Sequence, residues 1–276
     1  MMGRGILLEQ EKTMTTTDKM LSRKEGRVGT MIFNNPARHN AVSLEMWQAG
    51  RRILDEFAGD DDVRVLVVTG AGGKAFVSGA DISKFEDERA TREAVERYNT
   101  IGQGFYTALS AFPKPTIAAI QGYCIGGGLN LAIGCDLRFC TEGSRFALPA
   151  AKLGLGYGYA GLQRFIDTVG PANTKDIFFS ARQFGAAEAL AMGVVNKVLP
   201  EAELAAFVKE YAGTIAENAP LTIAAVKQSA IEALKPESER NLKLVADMVA
   251  RCFASQDYIE GRTAFMEKRK PKFSGK

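Results

Sequence analysis

The run of apolar and polar positions divides the chain into an N-terminal stretch where strands and helices alternate and a C-terminal stretch that is almost wholly helical. Gly26 to Asn34 reads as a strand ending in an Asn-Asn-Pro turn. Ser43 then reads as a helix N-cap, because Met46, Trp47, Ile53, Leu54 and Phe57 follow at helical spacing. Val63 to Thr69 is a continuous apolar run between Asp-rich and Gly-rich segments, the pattern of a strand buried on both faces. A polar helix over about 91–111, a strand at 116–120, a glycine loop, a short helix from about Gly127 and a strand at 136–140 continue the alternation. Beyond Leu199 the segments 201–217, 220–234, 238–255 and 258–268 are Ala-rich or amphipathic helices. The expected division is a flexible extension over 1–22, an α/β core over 23–200 and a helical region over 201–276.

Composition narrows the function. Lys plus Arg number 35 against 32 Asp plus Glu, interspersed rather than gathered in a stripe, so nucleic-acid binding gains no support. Cys124, Cys135, Cys140 and Cys252 show neither CxxC spacing nor a histidine partner and read as reduced thiols, which points to the cytoplasm. The N-terminal apolar run is too short for a signal-peptide core, and the most apolar stretch, Thr116 to Cys135, carries Gln121, Asn130 and five glycines; no membrane span is expected. His39 is the single histidine, so neither a histidine metal site nor a Ser-His-Asp triad is supported.

Candidate chemistry centres on CIGGGLNLAIG. Gly126, Gly127 and Gly128 lie between an expected buried strand and an apolar helix, where the backbone can approach a ligand and the first helical N–H groups stay unpaired. The same run also suits a tight strand-to-helix turn with no ligand. No GK[ST] follows and no GxGxxG opens the first βα turn, which disfavours a nucleoside triphosphate or dinucleotide. A second loop, KAFVSGADI, offers the N–H of Ala80 as another donor. Two donors around one oxygen suit a thioester enolate, and removing one such donor costs ~2.7–4 kcal/mol of barrier.

With AFVSGADI, KPTIAAIQGYCIGGGLNLAIGCDLRFC and FALPAAKLGLG in order, together with NPARHNAVS and AFMEKRKPKF, the chain resembles the crotonase (enoyl-CoA hydratase/isomerase) superfamily from about residue 25 onward. The resemblance implies an α/β fold, a crotonase-like spiral of repeated ββα units with a C-terminal helical trimerisation region. It also implies a soluble lyase or isomerase of fatty-acid-type thioesters, working as a trimer or as a hexamer made of two trimers. The substrate is an acyl-CoA, and no cofactor beyond that coenzyme A and no metal is implied. The two oxyanion donors fall on Ala80 and Gly127. Substrate-binding positions fall on Ala37, Arg38, Ala41, Ser78, Asp81, Ile82, Gly126, Pro149 and Ala150, with Phe265 and Lys268 reaching the adenine end from a neighbouring subunit.

Two positions depart from the pattern of the resemblance. Classical hydratases place one glutamate three residues beyond the middle glycine and a second after the proline of the next segment, but Asn130 and Ala150 stand there. Asparagine takes up no proton near neutral pH, and alanine neither donates nor accepts. Asp81 and Asp136 read as braces of loop and strand ends, and Glu86, Asp87 and Glu88 as a charged helix start. Tyr157 and Tyr159 lie in a turn that faces the acyl end in the family, and Tyr157 matches a tyrosine of the malonyl-type decarboxylases. Three readings follow: a hydratase/isomerase-like enzyme that stabilises an enolate with the Ala80 and Gly127 amides, where Asn130 and Ala150 count against classical two-glutamate hydration; a malonyl-type decarboxylase using Tyr157; and a non-catalytic acyl-CoA-binding protein.

Overall fold

The computed structural model describes residues 17–81, 84 and 90–276. Its spine is a six-stranded sheet in the order β1 (Met20–Glu25), β2 (Val28–Phe33), β3 (Val65–Gly70), β5 (Thr116–Ile120), β7 (Leu137–Thr141), β10 (Lys197–Leu199). β1 and β2 are antiparallel and the rest parallel. A second sheet orders β4 (Ala75–Val77), β6 (Tyr123–Ile125), β8 (Arg145–Ala147) and β9 (Phe184–Gly185), with β8 and β9 antiparallel. Strands β3 to β8 therefore come in pairs, each sending one strand to each sheet before a helical segment. These are the repeated ββα units the sequence resemblance implied.

The helices follow the apolar spacing. α1 (Leu44–Gly59) is capped by Ser43, whose hydroxyl accepts from the Met46 amide, and buries Met46, Trp47, Ile53, Leu54 and Phe57. α2 (Arg92–Ser110) begins behind a Thr91 cap. α3 (Gly127–Ile133) is short and buried, and α4 (Tyr159–Ser180) is two helical segments broken at Gly170-Pro171. α5 (Ala186–Ala191), α6 (Leu204–Glu217), α7 (Pro220–Ala233), α8 (Leu242–Phe253) and α9 (Gln256–Met266) complete the order.

β3 is buried on both faces, as its unbroken apolar run predicts. Leu66 and Val68 join the core under α1 and α2, while Val65 and Val67 pack with Ile117, Ala119 and Phe139 beneath Leu204, Val208 and Ala212 of α6. Each such side chain, fully buried, contributes about 1.5–3 kcal/mol. Residues 1–16 of the expected extension lie outside the described residues. β1, however, begins at Met20, three residues before the expected start of the core: its backbone pairs with β2, and the Met20 side chain is fully buried.

α8 has no buried residue in this chain, and Leu242, Phe253, Val226 and Ile259 stay exposed on the helical region. Among the described residues, no helix is long and apolar enough to cross a membrane.

Candidate active site

The loop after β4 is fixed from one side. The Val42 amide donates to the Gly79 carbonyl at 2.8 Å, and the Asp81 amide donates to the Val42 carbonyl at 2.9 Å. In a bridge of this kind alternate residues point to opposite edges, so the Ala80 amide between them faces away from Val42. Gly79, at φ +107°, makes the bend that sets this edge. Behind it, the Tyr98 hydroxyl donates to the Val42 carbonyl and accepts from the Trp47 indole, which ties the loop to α1 and α2.

The glycine run meets that edge. Gly126, at φ +56°, turns the chain from β6 into α3, and its amide donates to the Ala147 carbonyl at 2.8 Å. A Cβ at Gly79 would lie 3.8 Å from the Gly127 nitrogen, so the two loops are in contact. A Cβ at Gly128 would sit 1.9 Å from the Val77 carbonyl oxygen, so only glycine lets α3 lie this close to β4. Neither the Ala80 nor the Gly127 amide enters a turn, loop or cap hydrogen bond among the described residues.

Beside the glycines sits a polar group that the sequence did not reveal. The Tyr106 hydroxyl, from α2, donates to the Gly127 carbonyl at 3.1 Å. Asn130, one turn into α3 and 5% exposed, accepts from Arg164 Nη2 at 3.3 Å. The Arg164 guanidinium, from α4, stands 6.0 Å from the centre of the Tyr106 ring. Burial pushes the phenols of Tyr106 and Tyr157 above their ordinary range and pulls the Arg164 guanidinium down. Both tyrosines are thus neutral hydrogen-bond donors at physiological pH, not bases. The buried Cys135 and Cys140 thiols are pushed up to about 12 by burial, which excludes them as thiolate nucleophiles.

The remaining expected residues divide by position. Ala37, Arg38 and Ala41 lie on a segment, 36–41, that docks onto the Ala80 loop: the Ser78 amide donates to the His39 carbonyl and its hydroxyl to that of Arg38. That segment is held by Asn40, fully buried, whose amide group donates to the carbonyls of Ala71 and Ala75 and accepts from the Asn35 amide. Asp81 is buried beside Ala80, and Ile82, with Glu86, Asp87 and Glu88, lies outside the described residues. Pro149 opens a short 3-10 turn that buries Ala150. Tyr157 is half-buried with its ring 4.7 Å from that of Phe178, whereas Tyr159 is 79% exposed. Asp136 braces strand ends, accepting from Thr116 and Lys227. Phe265 and Lys268, at the end of α9, are exposed, and among the described residues no hydrogen bond, ion pair or ring contact joins them to the glycine loops.

Among the described residues no group of three His, Cys, Asp or Glu is placed to hold a metal ion.

Comparison with known proteins gives this arrangement a context. A family model described as enoyl-CoA hydratase/isomerase matches residues 23–276. A crotonyl-CoA hydratase of Syntrophomonas wolfei is 35% identical over 94% of this chain and 99% of its own length. A carnitinyl-CoA dehydratase of Proteus mirabilis is 32% identical over 91% of this chain and 96% of its own. A crystal structure of an enoyl-CoA hydratase/carnithine racemase from Magnetospirillum magneticum superposes with a TM-score of 0.90 at 34% identity, covering 95% of this chain and 97% of that one.

Proposed function

The chain belongs to the enoyl-CoA hydratase/isomerase family, and from that premise we propose that it acts on an acyl-CoA thioester whose carbonyl oxygen is held by the amides of Ala80 and Gly127. The observation that carries this reading is the close approach of the Gly79-Ala80 bend to Gly127, with neither the Ala80 nor the Gly127 amide engaged in a turn, loop or cap hydrogen bond among the described residues. When the thioester becomes an enolate, negative charge grows on that oxygen. Donors already in place stabilise the charge without reorganising. The 36–41 segment, docked on the same loop, borders the nucleotide and pantetheine.

Proton transfer is where this chain parts from two-glutamate hydratases. Asn130 accepts from Arg164, and Ala150 offers no polar side-chain atom. Hydration of crotonyl-CoA is therefore slow, since each missing acid or base removes about 10²–10⁴-fold. Steady-state turnover of crotonyl-CoA, run beside a mass-spectrometric screen of acyl-CoAs, tests this; a crotonyl-CoA rate matching a two-glutamate hydratase contradicts it. The half-buried Tyr157 favours a second reading, decarboxylation of a malonyl-type thioester, in which the C–C electron pair passes into the enolate and carbon dioxide leaves. Carbon dioxide release undiminished in Tyr157→Phe rules that role out.

The exposed apolar positions on α7 and α8 support assembly of the chain into trimers, or hexamers of two trimers, with Phe265 and Lys268 serving a neighbouring subunit. Sedimentation at micromolar concentration reads this directly, and a stable monomer refutes it.

A further inference from the structure

Arg164 carries a charge that the described part of the fold leaves without a counter-ion. Among the described residues its one side-chain hydrogen bond goes to the neutral Asn130 amide oxygen, and its Nε is buried with no partner there. It forms no ion pair among the described residues, where the groups that bear on its charge are the two neutral phenols of Tyr106 and Tyr157. A half-buried guanidinium in that position is costly, because desolvation is not offset by an opposite charge. Two more exposed arginines show one remedy: Arg182 meets Asp176 and Glu188, and Arg269 meets Glu260 and Glu267. Arg138, the most deeply buried arginine, donates to the carbonyls of Val194 and Cys135. Arg164 alone of these keeps a buried donor free, and it does so one side chain away from the Gly127 turn.

We propose that Arg164 is an anion subsite for the acyl group, so that the preferred substrate is a short acyl-CoA carrying a carboxylate. A guanidinium is suited to this, since its planar fork matches a carboxylate. The Tyr157 hydroxyl adds a neutral donor for the same anion, whereas the single O–H of Tyr106 is already committed to the Gly127 carbonyl. Asn130 fits this role better than a glutamate would: a carboxylate at that position would occupy the guanidinium and repel the substrate's own anion. The departure that removes a proton carrier thus also leaves the arginine free. This inference rests on the acyl-CoA reading of the Ala80 and Gly127 amides and assigns the substrate class to the same site.

The test compares shape-matched pairs in the intact protein by calorimetry: malonyl-CoA against isovaleryl-CoA, and succinyl-CoA against 4-methylvaleryl-CoA. Each pair exchanges a carboxylate for an isopropyl group. The wild-type chain binds at least one carboxylated ester tenfold or more tightly than its partner, as expected for hydrogen bonds to a charged group. In Arg164→Gln that preference vanishes while affinity for the isopropyl esters stays within about threefold, and Arg164→Lys retains part of it. Equal affinities within both pairs, or a preference that survives Arg164→Gln, overturns the subsite. If no ester binds at all, the acyl-CoA reading itself fails and the subsite with it. Thermal unfolding of each variant separates a lost preference from a lost fold.

Discussion

Gly128→Ala is the sharpest perturbation of the site because its cost is set by backbone. The new methyl group would stand 1.9 Å from the Val77 carbonyl oxygen and 2.7 Å from its carbon, where ordinary contact begins near 3.4 Å. No rotamer change relieves a clash with β4 itself, so α3 must move outward by roughly 1.5 Å. Overpacking of this kind costs about 1–3 kcal/mol and more against rigid backbone, which for a chain of this size lowers the unfolding midpoint by roughly 2–6 °C. The same displacement takes the Gly127 amide off the position that faces Ala80, and losing one oxyanion donor costs about 10²–10³ in kcat. Differential scanning fluorimetry and single-turnover rates on the best acyl-CoA read the two effects separately. Gly104→Ala is the control: it lies within α2 with nothing within 4 Å of its added methyl, and it raises stability by about 0.5–1 kcal/mol with no change in rate. A Gly128→Ala protein that unfolds within 1 °C of wild type and turns over within about threefold of it would refute the claim that close packing of α3 on β4 places the donor.

Other perturbations isolate single groups. Tyr106→Phe removes the hydroxyl that donates to the Gly127 carbonyl, and kcat/KM falls about 3- to 10-fold with the fold intact. Asn130→Glu with Ala150→Glu restores both carboxylates, and crotonyl-CoA hydration rises by at least about 10²-fold; no rise means the two positions are not the acid–base sites. In the C-terminal region, the hydrogen bonds from Arg269 and the Lys272 amide hold the Glu260 carboxyl down to about 2. A depressed folded-state pKa contributes stability above the unfolded value and loses it as pH falls through the folded one. The midpoint gap between wild type and Glu260→Gln is therefore constant near neutral pH and closes between about pH 4.5 and 2, as a pH series of thermal melts would record.

How far the sequence reached can be judged from particular elements. α1 was legible because a hydroxyl cap stands directly before its apolar stripe, and β3 and β5 because unbroken apolar runs of this length admit a strand buried on both faces. The second sheet was not legible. β4, β6, β8 and β9 have only two or three residues each, too few for alternation to show, and they are held by pairing between distant segments. β1 was missed because Arg23, Lys24 and Glu25 give its second half the look of a tail. The glycine loops announced themselves through backbone requirements that only glycine meets. Tyr106 and Arg164 did not: each lies within a helix, where a polar residue reads as a solvated face, and only folding brings them to Gly127 and Asn130. Asn40 stood within a quoted motif, but its role, three hydrogen bonds that shape the 36–41 segment, depends on Ala71 and Ala75 more than thirty residues away.

The central claim is that Ala80 and Gly127 polarise a thioester carbonyl. Infrared difference spectroscopy of a bound acyl-CoA, with the thioester carbon isotopically labelled, measures that polarisation at the bond itself. Two well-placed amide donors shift the carbonyl stretch to lower frequency than in water, and Gly128→Ala returns it toward the value in water. A bound thioester whose carbonyl stretch matches the free ester in water would contradict the account.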